Sequence, residues 1–524
     1  MNERVLFELW RRQSGLVTAE SYSTAWLSAV PSLIQSARPA WPEALSLLRS
    51  MQLPDGGWGE NSVYYAHDRM ISTLAAVMSL RIWADPQDEL RIEQGLKAIS
   101  LYAQDLGHEY IEPIGFELLL PSLATELELL GLPFPHEAWA QVSESTKAKL
   151  GLIGKLDVDP MKPRTWWFSM ELLPSERLAQ VDERVLDRYG AIATSSAATA
   201  ALLRAYRLQG KDVRSAAAYL ERVAQATGGG GNVTWPIDVF ELAWTLDNLR
   251  RAGVKPTHAG IAPMVWRLAT YWELPPLGVT WNQAFRVRDG DHPAVAYRVL
   301  RWAGLHPSDQ PILDFWSEEA GLYMTYLDER GTSISTAIHG LTAFRENPYN
   351  RTHRHIAVRL TDWLRERVKG KAGFHDKWHL SPLYPASRLL PTLIGWDDDL
   401  ARFTMDFILD LQREDGGWGL TACSNQEETA LAVLALTEAY GMGLMKDLSV
   451  LRRAQNFLNW HVNELPYERL WIGKSLYLPI GVVKGVICAA QLALSRHLPE
   501  QAHYPTWAMG RATRTSDVLA VGGD

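Results

Sequence analysis

The chain has 524 residues, with 52 lysines and arginines against 60 aspartates and glutamates, and a formal net charge of −8. An acidic chain without a basic run offers no field for a nucleic-acid backbone, and its two cysteines exclude a disulfide framework. No stretch reaches the roughly 18 apolar residues that a membrane span needs, and the N-terminus lacks a signal-peptide core. We therefore expect a cytoplasmic protein of two or three domains, with no transmembrane segment and no nucleic-acid partner.

The periodic segments are nearly all helical. Apolar residues recur at three- and four-residue spacing, bounded by Gly, Pro or polar clusters, in residues 72–82, 115–131, 239–252, 294–303 and 428–440. Alternating strand patterns are scarce. The sequence therefore predicts an all-α fold with short connections.

One motif occurs twice, as QLPDGGWG at Gln52–Gly59 and as QREDGGWG at Gln412–Gly419. Each copy follows one amphipathic helix and precedes another, which is typical of helical hairpins joined by an Asp-Gly-Gly turn. We interpret both as structural clamps. Their separation favours two helical-repeat barrels, with a seam at Gly228–Gly231, although that glycine run also fits a mobile loop inside one domain.

The segment around Asp289, Asp291 and His292 carries the clearest chemical signal. Pro293 is suited to the first turn of a helix that continues to about Trp302, so the two carboxylates lie where the helix begins. The helix N-terminus makes a carboxylic acid stronger, while a neighbouring carboxylate keeps one proton in place. This combination suits a general acid, and a purely structural helix cap is the alternative.

Seven further segments follow one another in an order that resembles a known family. They are Tyr22–Trp26, Gln52–Gly59, Asp68–Leu74, Ile114–Glu117 with Pro121–Leu123, Pro236–Trp244, Asp376–Trp378 and Trp471–Tyr477. With the Asp motif, the series resembles the class II terpene cyclases, and most closely the bacterial class II diterpene cyclases. The resemblance implies a βγ pair of α/α-barrels: residues 1–30 as the first helix of the β domain, 31–230 as the inserted γ barrel, and 231–524 as the rest of the β domain.

In that family the middle Asp of a D-x-D-D motif protonates the terminal alkene of a polyprenyl chain. Here the motif stands as Asp289-Gly290-Asp291-His292. The resemblance therefore implies that Asp291 is the general acid and that Asp289 hydrogen-bonds to it and tunes it. His292 replaces the last Asp; a neutral imidazole there would hydrogen-bond to the acid, whereas an imidazolium would favour the anion of Asp291.

The family's chemistry creates a carbocation inside the protein, where aromatic faces stabilise it by roughly 0.5–2 kcal/mol each. Candidates for that aromatic wall are Trp281, Trp378, Tyr384 and Trp471. Candidates for the base that ends the reaction are His339, His379 and Tyr384, and the sequence does not choose among them.

The diphosphate is retained in class II chemistry, so the resemblance implies an anchor for it. Lys474 and Lys162 are the predicted contacts. The family also has an acidic, magnesium-associated stretch before its P-I-G-F-E motif, and the matching positions here are Asp105, Glu109 and Glu112, which are the predicted Mg²⁺ ligands.

These expectations point to a cyclase that converts geranylgeranyl diphosphate to a bicyclic diterpenyl diphosphate, with a rearranged halimane or clerodane (kolavenyl type) skeleton favoured. Alternatives are a labdane-type copalyl product, farnesyl diphosphate as substrate with a drimenyl product, squalene–hopene-type chemistry, a zinc-dependent prenyltransferase subunit, and a non-catalytic helical scaffold. Asp397-Asp398-Asp399 lacks the fifth-position carboxylate of a D-D-x-x-D motif. A separate class I synthase, phosphatase or transferase is therefore expected to act on the product.

Overall fold

The computed structural model describes residues 15–108, 111–132, 134, 158–327, 331–460 and 467–498. The predicted all-α fold with two α/α-barrels is confirmed. In the described residues, the strands form two short hairpins, which pair Trp316–Ser317 with Leu322–Tyr323 (β1, β2) and Trp471–Ile472 with Leu476–Tyr477 (β3, β4), and the remaining β pairing consists of isolated bridges. None of the described helices is long and apolar enough to cross a bilayer.

The N-terminal barrel contains eight described α-helices and the 3₁₀ segments. The α-helices are α1 Ser21–Ser28, α2 Pro42–Ser50, α3 Ala66–Trp83, α4 Glu89–Asp105, α5 Phe116–Leu129, α6 Ser175–Leu178, α7 Ser196–Leu208 and α8 Arg214–Thr227. The 3₁₀ segments are Pro86–Asp88, Leu106–His108, Thr165–Leu172 and Glu183–Val185. Helices α1, α3 and α5, the 3₁₀ segment Thr165–Leu172 and α7 contact one another in turn and close an inner ring.

The C-terminal barrel contains the remaining described helices. They are α9 Asp238–Arg251, α10 Ala262–Trp272, α11 Asp291–Trp302, α12 Gln310–Leu313, α13 Ile334–Arg345, α14 Arg351–Lys369, α15 Leu383–Leu393, α16 Asp398–Asp410, α17 Gln426–Gly441, α18 Ser449–Trp460 and α19 Ile480–His497. Six of them, α9, α11, α13, α15, α17 and α19, form a closed inner ring, because each packs against the next and α19 returns to α9.

Burial separates the inner helices from the outer ones. In α3 every residue from Ala66 to Leu80 is buried, and in α17 every residue from Gln426 to Thr437 is. Outer helix α16 instead buries one stripe, Leu400, Ala401, Thr404 and Ile408. A helix that is apolar on most sides needs neighbours all round, whereas a one-sided helix covers a ring from outside.

The two Gln/Trp motifs form the same clamp, one in each barrel. The Gln52 side-chain amide donates to Gly56 O at 2.9 Å, and the Trp58 indole N–H donates to Leu48 O at 2.8 Å. The second copy repeats this with Gln412 to Gly416 O at 2.9 Å and Trp418 to Ile408 O at 2.7 Å. Each motif thus ties its turn to the end of the preceding helix.

The hydrophobic cores give a physical basis for two barrels. Apart from Val233 and Phe285, the N-terminal core comes from residues 22–224, and apart from Val17 the C-terminal core comes from residues 237–498. The change falls near the predicted seam at residue 230. Helix α1 packs with α2, α3 and α7 in the N-terminal barrel, although residues 1–30 are predicted to belong to the other domain. The domain boundaries remain a prediction.

Candidate active site

Asp291 lies at the N-terminus of α11, which begins two residues before the predicted Pro293. Its side chain is buried and faces α13 of the same inner ring, where His339 Nδ1 is 2.7 Å from Asp291 Oδ1. The two residues are 48 positions apart in sequence. The sequence nominates His339 only as a terminal base, whereas the structure places it on the acid.

Electrostatics around Asp291 favour its anion in the free protein. Burial raises the pKa of the carboxyl, but the charge and hydrogen bond of His339, with a smaller contribution from His292, together lower it below the ordinary 3.8. The buried Asp291 carboxyl and the His339 imidazole are thus held in direct contact, with Asp291 Oδ1 2.7 Å from His339 Nδ1.

Asp289 has a partner that the sequence analysis does not anticipate. Its Oδ1 accepts a hydrogen bond from the His292 backbone N–H at 2.9 Å and lies 2.8 Å from His292 Nδ1. Asp289 therefore caps α11 and orients the His292 ring, so it acts on the acid through the loop rather than by a direct bond. Burial lowers the pKa of His292, but attraction to Asp289 and then Asp291 raises it overall.

An aromatic cluster, defined as Phe240, Trp244, Tyr384, Trp471 and His379, stands beside this pair. The Trp244 ring is 5.3 Å from both the His339 and the His292 rings, and Phe240 is 4.6 Å from Trp244 and 5.1 Å from Trp471. Tyr384 lies 5.0 Å from Trp471 and stacks on His379 at 4.9 Å. The five side chains are buried and come from α9, α15, the segment before α15 and β3.

Hydrogen bonds hold the cluster at its polar edges. The Trp244 indole N–H donates to the Tyr384 hydroxyl at 2.8 Å, and the Trp471 indole N–H donates to Glu427 Oε1 at 2.8 Å. These bonds engage the polar edges of Trp244, Tyr384 and Trp471 and leave their ring faces uninvolved. Aromatic faces attract cations. Burial raises the pKa of the Tyr384 hydroxyl, so it stays a neutral phenol.

Trp281 and Trp378, the other predicted wall residues, lie at the margins. Trp281 packs against both barrel cores and donates its indole N–H to Thr194 Oγ1 at 3.2 Å. Trp378 is half-buried, and its carbonyl accepts from the Ile472 N–H of β3 at 2.9 Å. Trp281 is thus near the seam between the barrels, and Trp378 borders the hairpin that carries Trp471.

The two predicted diphosphate contacts differ sharply in environment. The Lys474 ammonium is fully buried and donates to Glu171 Oε1 at 2.6 Å, Ser195 Oγ at 2.7 Å and Phe168 O at 2.8 Å. Burial lowers its pKa, with Glu171 opposing the shift. Because an ammonium has three N–H donors, a phosphate contact would require Lys474 to release a partner. Lys162 is 72% exposed and 3.7 Å from Asp159.

The predicted Mg²⁺ ligands do not form a site in the part of the chain that the structure describes. Asp105 accepts a hydrogen bond from the Tyr64 hydroxyl at 2.5 Å, and Glu112 is exposed. Glu109 lies outside the described residues. Among the described residues, no three His, Cys, Asp or Glu side chains are arranged to hold a metal ion. Asp105 and Glu112, the two predicted ligands that the structure describes, are thus not part of a three-ligand metal site in the described residues.

Sequence reasoning missed three residues of this site. Phe240 and Trp244 lie inside a matched segment and share one face of α9 at four-residue spacing, which is a signal that could have nominated them. Glu427 has no such signal, since it is one of two adjacent glutamates in the first turn of α17. Only the fold shows that it bonds to Trp471.

No protein-family model matches the chain. It is 31% identical over 491 residues to a type B diterpene cyclase of Mycobacterium tuberculosis, covering 90% of this chain and 95% of that protein. It is 30% identical over 412 residues to ent-copalyl diphosphate synthase 1 of rice, covering 76% of this chain and 45% of the longer plant protein.

Among solved structures, ent-copalyl diphosphate synthase from Streptomyces platensis superposes with a TM-score of 0.73 at 23% identity, over 94% of this chain and 98% of that one. At this identity the likeness supports the two-barrel fold. The mycobacterial relative matches at 31% over nearly the whole of both proteins. The chain therefore belongs to the type B, or class II, diterpene cyclases, the family that its ordered motifs resemble.

Proposed function

We propose that this cyclase converts geranylgeranyl diphosphate to a bicyclic diterpenyl diphosphate by protonating the terminal alkene through Asp291, with the diphosphate retained. The contact that carries the proposal is the 2.7 Å pair of Asp291 and His339. A buried carboxyl that contacts a histidine beside aromatic rings is suited to starting a carbocation reaction once substrate has displaced water.

Substrate binding supplies the condition under which Asp291 becomes an effective acid. An apolar prenyl chain beside the pair removes water, and lower polarity disfavours separated charges on Asp291 and His339. The carboxyl then carries a proton on Oδ2 and accepts the His339 Nδ1–H at Oδ1. The Oδ2 proton passes to the alkene, and the carboxylate that remains keeps the hydrogen bond from neutral His339.

The aromatic cluster supports the next stage, in which the cation moves through ring closures. Trp244 lies nearest to the acid, and Phe240, Tyr384 and Trp471 extend away from it. A ring within about 6 Å of a desolvated cation contributes roughly 2 kcal/mol without forming a bond to it. This ordering allows positive charge to leave the acid along a wall that offers π faces.

For the product skeleton, we propose a rearranged halimane or clerodane of the kolavenyl type. The feature behind this choice is His292 at the last position of the Asp motif, held by Asp289 beside Phe240 at 5.5 Å. The labdane-type copalyl skeleton is the second candidate, because the rice relative is named for that product. Farnesyl diphosphate, with a drimenyl product, is the third.

Because the diphosphate is retained, a second enzyme is needed to act on the product. The product still carries an ionisable leaving group, so a class I synthase, a phosphatase or a transferase is the reaction class that consumes it. Lys162, an exposed side chain 3.7 Å from Asp159, stays the predicted contact with the phosphate groups. The predicted need for Mg²⁺ can be tested by adding EDTA to an incubation with geranylgeranyl diphosphate, because turnover should then be lost.

The test is incubation of the purified chain with geranylgeranyl or farnesyl diphosphate, phosphatase treatment, and identification of the alcohols. The wild type should give a bicyclic alcohol from geranylgeranyl diphosphate, and Asp291→Asn should reduce turnover by about 10²–10⁴-fold because it lacks the acid. Asp309→Asn is the matched control, since Asp309 pairs with His353 at 2.9 Å outside the site. Recovery of only unchanged geranylgeraniol and farnesol from the wild type would refute the proposal, as a scaffold would give that result.

A further inference from the structure

A carbocation cyclase needs a base at the end of its reaction as well as an acid at the start. The sequence leaves this base open among His339, His379 and Tyr384, and each has a contact that argues against the role. The Tyr384 hydroxyl accepts from Trp244 and is a neutral phenol. His339 is bonded to the acid, so a proton delivered there returns to its origin.

His379 is excluded by the way its two nitrogens are used. Nδ1 accepts the Ser381 backbone N–H at 3.1 Å, so the ring proton of neutral His379 must be on Nε2. Nε2 faces Glu427 Oε1 at 3.4 Å. Neither nitrogen of His379 therefore offers a lone pair to a substrate, and the histidine serves to position the glutamate.

We propose that Glu427 is the terminal base of the cyclisation, its carboxylate held by Trp471 and His379 through one oxygen and without a hydrogen-bond partner among the described residues at the other. Oε1 receives the Trp471 indole N–H at 2.8 Å and faces His379 Nε2. Oε2 is buried and has no hydrogen-bond partner among the described residues. This inference rests on the proposed function.

The placement of Glu427 fits the end of the reaction. It contacts the Trp471 side of the aromatic cluster, whereas Asp291 and His339 adjoin Trp244. The rings of Phe240 and Trp244 lie between them, at successive centroid distances of 5.1 and 4.6 Å. Glu427 and the Asp291–His339 pair thus adjoin different rings of the cluster along which the cation is proposed to move.

Two features of the local setting act on the Glu427 side chain. It lies in the first turn of α17, where the helix dipole favours an anion, and its Oε1 accepts from Trp471. A desolvated carboxylate with one free oxygen is a stronger base than one fully hydrogen-bonded.

The step balances without a further reactant. A C–H bond next to the cationic carbon breaks, its electron pair forms the new alkene, and the proton bonds to Glu427 Oε2. The neutral carboxyl then releases the proton to solvent, and Asp291 regains one before the next turnover. The reaction is an isomerisation overall, as protonation and deprotonation cancel.

The test is the product distribution of Glu427→Gln with geranylgeranyl diphosphate. The amide keeps an oxygen for Trp471 but removes the base, so the ratio of native product to isomeric alkenes and water-quenched alcohols should fall by about 10²-fold. Substrate consumption should fall less than in Asp291→Asn, because protonation is intact. A folded Glu427→Gln with the wild-type product ratio would overturn the assignment.

Glu428→Gln is the matched control. Glu428 is buried beside Glu427, but Ser381, Leu420 and Asn425 donate to its two oxygens, so it has no free basic atom. Its variant should keep the wild-type product ratio, even if less stable. An equal product shift in both variants would mean that loosening of α17 is the cause, and would also overturn the proposal.

Glu427→Asp covers the case in which the Gln variant does not fold. It keeps the carboxylate but withdraws it by one methylene, so by-products should increase while native product persists. An unchanged ratio in a folded Asp variant would overturn the proposal. If the wild type forms no bicyclic product, the proposed function fails first; a normal wild type with unaltered Glu427 variants refutes the base alone.

Discussion

Replacing His339 by Phe isolates its role on the acid. Phe keeps a ring against Trp244 and Tyr384, which lie 5.3 and 6.4 Å from the His339 ring, but removes the nitrogen 2.7 Å from Asp291. Hydrogen bonds to charged groups contribute about 1.5–3 kcal/mol. If this contribution stabilises the carboxylate formed on proton transfer, kcat should fall about 10- to 150-fold, at 1.36 kcal/mol per factor of ten.

The pH dependence should change in a defined direction. In the wild type the pKa of Asp291 is lowered, because His339 and His292 together outweigh burial. Without His339, burial raises the pKa, so the carboxyl keeps its proton to higher pH. The high-pH limb of activity should move upward even as kcat falls.

The pH dependence of the free energy of unfolding follows from the same shift in the pKa of Asp291. A lowered folded-state pKa adds stability that is present above the carboxyl's unfolded value and is lost as pH falls through the folded value. His339→Phe removes that contribution from Asp291, and a raised pKa would instead lose stability as pH rises. The difference in Tm between wild type and variant should therefore widen from pH 4 to pH 7.

The assay measures kcat against pH on geranylgeranyl diphosphate, together with thermal unfolding across the same range. His353→Phe is the control, since His353 is buried and pairs with Asp309 at 2.9 Å away from the aromatic cluster. It should alter unfolding and leave kcat per folded molecule intact. A His339→Phe variant with wild-type kcat and an unshifted pH profile would refute the reasoning.

Two further predictions concern buried side chains. Lys474→Met leaves Glu171 buried without its cation, so it should lower the free energy of unfolding by about 3–5 kcal/mol in urea titrations. Lys162→Met, at an exposed position, should leave the free energy of unfolding unchanged. Equal unfolding curves for wild type and Lys474→Met would contradict this prediction. Trp244→Leu removes the ring nearest the acid and should lower kcat about 2- to 30-fold, equivalent to about 0.5–2 kcal/mol. Trp272→Leu, in the core outside the cluster, should affect unfolding only. A Trp244→Leu kcat equal to that of wild type would argue against the proposed aromatic wall.

The sequence predicted the helical architecture closely, because inner helices have strong periodicity and clear ends. The segment 239–252 corresponds to α9, Asp238–Arg251, and 428–440 lies within α17, Gln426–Gly441. The predicted start of α11 is two residues late, because Pro293 marks a first turn without fixing which residue begins the helix. Helix α1 is harder to assign, since nothing in Tyr22–Trp26 says which barrel it joins.

The contacts between residues of the site could not be predicted from the sequence. Asp291 and His339 come from two neighbouring helices of the inner ring, and only ring closure brings them together. Lys474 was nominated for phosphate because its motif is shared with the family, but the β3–β4 hairpin turns it towards Glu171 in the N-terminal barrel. A cation's partner depends on tertiary packing, which local patterns do not encode.

The hydrogen bonds of the tryptophans join these observations. The indole N–H of Trp244 is tied to Tyr384, and that of Trp471 to Glu427. A ring fixed by its edge presents a face that attracts a cation but has no lone pair with which to trap it. The Trp471 bond also engages one oxygen of Glu427 and leaves the other without a donor among the described residues. Under the proposed assignment, the Trp471–Glu427 bond therefore both fixes one ring of the wall and determines which oxygen of Glu427 can accept the final proton, whereas the Trp244–Tyr384 bond fixes the ring beside the acid.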